Sequence, residues 1–139
     1  MLRNIPPVLS PDLVKALMEM GHGDEILLAD ANFPGHSIHH RVIRADGIGI
    51  PELLDAVLTL MPLDPYSSWQ VGLMETVPGD PEPEVWKTYN EIIAKHEEQH
   101  SVKTFERFDF YRHTPEVAAV VLTGETALYG NIILKKGVL

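Results

Sequence analysis

Three uninterrupted apolar runs set the frame of this chain: EILLAD at Glu25–Asp30, AAVVLTGE at Ala118–Glu125 and the NIIL opening of the last nine residues, Asn131–Leu139. A strand apolar on every residue must be covered on both faces, which helices on either side of a mostly parallel or mixed sheet achieve. The intervening segments supply such helices. Ser10-Pro11-Asp12 is a helix start: Ser accepts an orphan amide, Pro fits the first turn and Asp complements the dipole. Leu13, Ala16, Leu17 and Met20 follow at helical spacing, and Gly21 offers a left-handed cap. A second helix opens at Pro51 with Leu53, Leu54, Val57, Leu58 and Met61 as its stripe, and a third at Pro83 with Val85, Tyr89, Ile92 and Ile93. RVIRAD (Arg41–Asp46) and WQVGLMETV (Trp69–Val77) read as further strands, PGDPEPE as a loop, and FERFDFYRH stays open between strand and short helix. The expected class is therefore α/β: one three-layer α/β/α domain over residues 1–139.

Composition narrows the function. Twenty acids against eleven bases give a formal charge of −9, which repels phosphate backbones and anionic bilayers, so neither nucleic acid nor membrane is an expected partner. With no cysteine there is no disulfide, thiolate nucleophile or Cys-ligated metal, in keeping with a cytoplasmic setting. Pro6, Pro7 and Pro11 interrupt the N-terminal stretch, so no signal peptide is expected there.

Three constellations carry possible chemistry. HEEQH, His96–His100, matches the spacing of a zinc-hydrolase helix, but its neighbours Lys95, Glu98, Gln99 and Ser101 describe a solvated helix end. His36, His39 and His40 of HSIHH, near His22, have the chemistry of metal ligands but an open loop spacing that favours local hydrogen bonding. His22 and Asp30 differ, since one follows a helix end and the other ends a strand, at the sheet edge where α/β proteins bind ligands. Imidazole exchanges protons near neutral pH, and a carboxylate can orient it, act as base or bind a hydroxyl. Capping roles for both residues explain the pattern equally well.

Longer motifs break that tie. LSPDLVKALMEMGHGDEILLADANFPGHS, IRADGIGIPELLDAVLTLMPLD, ERFDFY and TGETALYGNIILKKGVL, covering most of the chain, closely resemble the fucose mutarotase and ribose pyranase family, the fucose branch in particular. The resemblance implies interconversion of the α and β anomers of a monosaccharide, L-fucose first, with no metal and no organic cofactor. It implies His22 as proton donor, Asp30 as the carboxylate that binds substrate and supports the relay, and Tyr111 as a second acid/base group. Asp64, Arg107 and the Tyr129-Gly130-Asn131 segment are implied as sugar contacts, and His22 and Asp30 are expected to face one hexose-sized hollow. Asn32 and His36 stand where family members carry other residues, so His36 is not implied in catalysis and the HSIHH loop is left to tune sugar choice. Family members form ring-like decamers or smaller oligomers with sites near subunit contacts, so a homo-oligomer is expected. A D-ribose pyranase, a non-catalytic monosaccharide-binding or transport-accessory protein and, more remotely, a zinc hydrolase using His96 and His100 remain alternatives.

Overall fold

The computed structural model describes residues 1–139 and is built on one six-stranded sheet. In chain order the elements are α1 (Pro11–Glu19), β1 (Glu25–Ala29), α2 (Gly35–Ile38), β2 (Val42–Ala45), α3 (Ile50–Leu60), β3 (Val71–Met74), α4 (Glu84–His96), β4 (Val102–Phe105), α5 (Arg107–His113), a 3-10 turn (Thr114–Glu116), β5 (Ala119–Thr123) and β6 (Ile132–Lys135). The strand order is β2-β5-β1-β6-β3-β4, and β6 alone runs against the others, pairing antiparallel with both β1 and β3. The sheet is thus mixed, one of the two arrangements the apolar runs allow.

Burial on both faces is visible along each central strand. Ile26 and Leu28 of β1, Ala119 and Val121 of β5, and Ile132 and Leu134 of β6 pack into a core of 25 buried residues with α1, α3 and α4. The alternate residues Leu27, Ala29, Val120, Leu122 and Ile133 join a ten-residue core with Phe33, Phe110 and Val117 on the other side. Two layers of helix and turn therefore cover the sheet, and the period-two alternation of side chains divides each strand between them.

Local chemistry follows the sequence closely at α1, where Ser10 Oγ accepts the Leu13 N–H at 3.2 Å. The helix ends one residue early, at an extended Met20 cap; the left-handed position falls instead at Gly23, with φ 84°, in the turn feeding β1. The FERFDFYRH stretch resolves as helix α5, capped by the Glu106 side chain, which accepts from the N–H groups of Phe108 and Asp109. Part of HSIHH winds into the single turn α2. No helix is long and apolar enough to cross a membrane.

Candidate active site

The C-terminal ends of β1 and β3 and the N-terminal end of β6 meet at one edge of the sheet, because β6 runs the opposite way. A cavity of about 450 Å³ opens there, lined by Asp30 and Asn32 after β1, Met74, Glu75, Val77 and Asp80 on and after β3, Arg107 and Tyr111 of α5, Tyr129 and Asn131 before β6, and the apolar Phe33 and Leu128. Five of the eight residues implied as site residues, Asp30, Arg107, Tyr111, Tyr129 and Asn131, converge here.

Asp30 and Asn131 lock together at the base of the cleft. Asn131 Oδ1 accepts the Asp30 N–H at 2.7 Å, and Asn131 Nδ2 donates to Asp30 Oδ2 at 3.0 Å. Asp30 Oδ1 accepts from the Asn32 amide at 2.9 Å. Burial pushes the Asp30 carboxyl above the usual aspartate range; the hydrogen bonds from Asn32, Asn131 and Phe33 only partly oppose this, and the charge of Glu125 adds to it. The result is a carboxyl held in place yet more basic than a solvated one.

The segment before β6 is fixed from below. Tyr89, 1% exposed in the large core, donates its hydroxyl to the Gly130 carbonyl at 2.6 Å, and Trp86 Nε1 donates to the Tyr129 carbonyl at 3.0 Å. Tyr129 itself sits at φ 58°, the left-handed region, and a Cβ at Gly130 would stand 2.9 Å from the Ala127 carbonyl oxygen. Gly130 therefore serves the site through its backbone, with its carbonyl turned to Tyr89. On the opposite wall, Tyr111 rests its ring edge-on to Phe33 at 5.6 Å and receives a long hydrogen bond from Arg107 Nε at 3.4 Å.

His22 and Asp64 are elsewhere. His22 precedes β1 whereas Asp30 follows it, so the strand's five residues, at about 3.3 Å each, separate them along the sheet. Neither His22 nor Asp64 lines the cavity. The expectation that His22 and Asp30 of one chain share a hollow is therefore corrected, because a strand carries its two ends to opposite edges of a sheet. At its own edge His22 Nε2 lies 2.9 Å from Asp64 Oδ1, with side-chain exposures of 46% and 4%. Asp64 also accepts from the Tyr66 amide at 3.0 Å and the Ser67 hydroxyl at 2.9 Å. Burial pushes the Asp64 carboxyl up, but the hydrogen bonds from His22, Tyr66 and Ser67 outweigh it and leave it below its ordinary value. Its oxygens therefore hold His22 and the Tyr66–Ser67 turn at this edge of the sheet.

The histidine-rich alternatives disperse. Helix α4 ends at His96, whose Nε2 pairs with Asp55 at 2.7 Å, and His100 lies beyond it against Asn90 at 3.3 Å, so the two are not one helical turn apart on a common face. His39 is buried, with Nε2 donating to the Val117 carbonyl at 2.7 Å and Nδ1 accepting the Arg41 amide at 2.9 Å. His36 is exposed beside Arg44 at 3.2 Å. No group of three or more His, Asp and Glu side chains is arranged to hold a metal ion.

Phe33, Met74, Glu75, Val77, Asp80 and Leu128 also line the cleft and are not among the residues the sequence singles out. Glu75 and Val77 fall in the stretch expected as strand, which instead ends at Met74, and Asp80 falls in the expected loop, where no periodicity tells which side chain turns inward.

A family model described as the RbsD / FucU transport protein family matches residues 3–139. The fucose mutarotase of Homo sapiens is 51% identical over 145 residues, covering 99% of this chain and 94% of that protein. The crystal structure of the fucose mutarotase in complex with L-fucose from Streptococcus pneumoniae superposes with a TM-score of 0.95 at 52% identity, covering 99% of each chain. The structure of Bacillus subtilis RbsD complexed with D-ribose has the same fold at a TM-score of 0.74 and 22% identity, covering 94% of this chain and 95% of that one.

Proposed function

The chain belongs to the RbsD/FucU family, and from that premise we propose that it is a cofactor-free mutarotase that interconverts the α and β anomers of L-fucose. The observation that carries this reading is the cleft around Asp30: a basic carboxyl between two tyrosines, an arginine and an amide, at the ligand-binding edge of the sheet. Tyr hydroxyls and the Asn amide both donate and accept, which vicinal sugar hydroxyls demand. Phe33, Met74, Val77 and Leu128 give the same cleft an apolar side, suited to the methyl group of a 6-deoxy sugar.

Opening a cyclic hemiacetal takes a proton onto the ring oxygen as the bond from that oxygen to the anomeric carbon breaks, while the anomeric hydroxyl gives up its proton and becomes the aldehyde oxygen. Rotation of the aldehyde and closure on its other face reverse both transfers, so nothing is consumed. Asp30 holds the anomeric hydroxyl and supports the relay, with Tyr111 as the second acid/base group across the cleft. Arg107, Tyr129 and Asn131 orient the remaining hydroxyls. The proton donor is the partner subunit's His22, brought to the cleft in a homo-oligomer and held by its Asp64. The half-exposed position of His22 and the absence of an imidazole from the cleft of the single chain support this arrangement. The chain acts as one domain in the cytoplasm.

Saturation transfer between the anomeric proton signals of L-fucose tests the proposal: added protein should speed exchange well above the spontaneous rate, and unchanged exchange rejects it. The missing imidazole also suits a protein that binds sugar without turnover, and tight L-fucose binding with no acceleration would favour that reading. D-Ribose in the same assay separates the ribose pyranase alternative.

A further inference from the structure

Asp80, in the loop after β3, is a cleft residue to which the proposed chemistry gives no part. The Tyr129 hydroxyl donates to Asp80 Oδ2 at 2.5 Å and accepts the Val77 N–H at 3.2 Å, so one phenol oxygen ties two points of that loop to the opposite wall. Tyr129 does not owe its backbone position to the loop. Its left-handed φ of 58° is fixed from α4, where Trp86 holds its carbonyl and Tyr89 holds that of Gly130.

A phenol has one proton and two acceptor lone pairs. Once Tyr129 gives its proton to Asp80 and takes one from Val77, a single lone pair remains for anything in the cleft. Asp80 as a carboxylate is acceptor-only and holds the phenol in that state. Freed from Asp80, the hydroxyl could turn its proton to a ligand or to water, and the loop would lose a tether across the cavity.

We propose that Asp80 is a positioning residue that acts through Tyr129, making its phenol an acceptor-only contact for one sugar hydroxyl and tying the loop after β3 across the cleft. The inference rests on the sugar-binding reading of that cleft. It differs from direct substrate contact by Asp80 in one respect: all of Asp80's effect passes through the Tyr129 hydroxyl.

The test is a double-mutant cycle in the full-length protein with Asp80→Ala, Tyr129→Phe and their combination, and with Asp80→Asn as the conservative variant. Anomer exchange of L-fucose gives kcat and KM, and calorimetry gives affinity independently of turnover. Asp80→Ala should raise KM and Kd about tenfold with kcat within about twofold, the loss of one well-placed hydrogen bond. Asp80→Asn, whose amide oxygen can still accept the phenol proton, should recover most of that loss. The double variant should be no weaker than Tyr129→Phe alone. Unchanged KM in Asp80→Ala, or effects that multiply in the double variant, would overturn the proposal. Phenol ionisation, read as the absorbance difference between each protein and its Tyr129→Phe counterpart, separates failure of the sugar reading from failure of this one. Donation to Asp80 holds the Tyr129 hydroxyl above its ordinary range, so Asp80→Ala should shift that ionisation to lower pH even if L-fucose proves not to bind. An identical titration with and without Asp80 would also contradict the assignment.

Discussion

Asp30 and Asn131, 101 positions apart, hold each other through two hydrogen bonds, backbone N–H to side-chain oxygen at 2.7 Å and side-chain amide to carboxylate at 3.0 Å. The pairing is possible because β6 runs antiparallel to β1, so the residue entering β6 stands beside the residue leaving β1. One topological choice thus joins a half-buried carboxyl to a buried amide in the cleft.

Asp30 is kept at a stability cost. Its folded-state pKa is raised mainly by burial, so below the unfolded value both states are protonated and the group costs nothing. As pH rises through the folded value, the unfolded chain gains more from ionisation than the folded one does. Asp30→Asn should therefore gain Tm relative to the parent protein as pH rises from about 4 to 7, while anomer exchange falls by roughly 10²-fold or more. Thermal melts across pH, paired with the exchange assay, check both halves; a variant that stays active, or whose Tm difference from the parent does not change with pH, contradicts them.

Asp64 has the opposite sign. Its pKa is depressed, so its contribution to stability is present above the unfolded value and disappears as pH falls through the folded one. Asp64→Ala should cost about 1–3 kcal/mol at pH 7 by stripping the bonds to His22, Tyr66 and Ser67. The difference should shrink below about pH 4. Catalysis should drop through kcat as the imidazole loses its anchor, and a loss confined to KM would instead favour Asp64 as a sugar contact.

Tyr89 supports the cleft without lining it. Tyr89→Phe keeps the ring in the core but leaves the buried Gly130 carbonyl unpaired, which should cost about 1–3 kcal/mol. Because the turn that aims Tyr129 and Asn131 relaxes, KM for L-fucose should rise too. Denaturant unfolding with substrate titration measures the pair of effects.

Much of this was legible in the sequence, for identifiable reasons. Continuous apolar strands can only be buried on both faces, so Glu25–Asp30 and Ala118–Glu125 announce a covered sheet, and the Ser10-Pro11-Asp12 helix start is legible because capping is local chemistry. The reversed direction of β6 was not legible, since NIIL reads the same in either orientation. Nor was Asp80, because a Pro- and Gly-rich loop has no period to show which side chain faces the cleft. The pairing of His22 with Asp64 and the separation of His22 from Asp30 follow from where strand ends fall, which spacing along the chain cannot express.

Chelation should leave the activity intact. His96 pairs with Asp55 and His100 with Asn90, so His96→Ala and His100→Ala should each leave exchange within about twofold, with a modest stability loss for His96. Loss of activity on treatment with a chelator, restored by zinc, would overturn the cofactor-free account.

The claim on which the account turns is that imidazole and carboxylate from two copies of the chain act on one sugar. Mixing His22→Ala with Asp30→Asn after dissociation, then reassembling them, tests it most directly by anomer-exchange NMR. Each variant alone should be nearly inactive, while the mixture should recover roughly a quarter of parental exchange, since random assembly pairs an intact cleft with an intact neighbouring imidazole at that frequency. A mixture as inactive as its components would contradict the shared site.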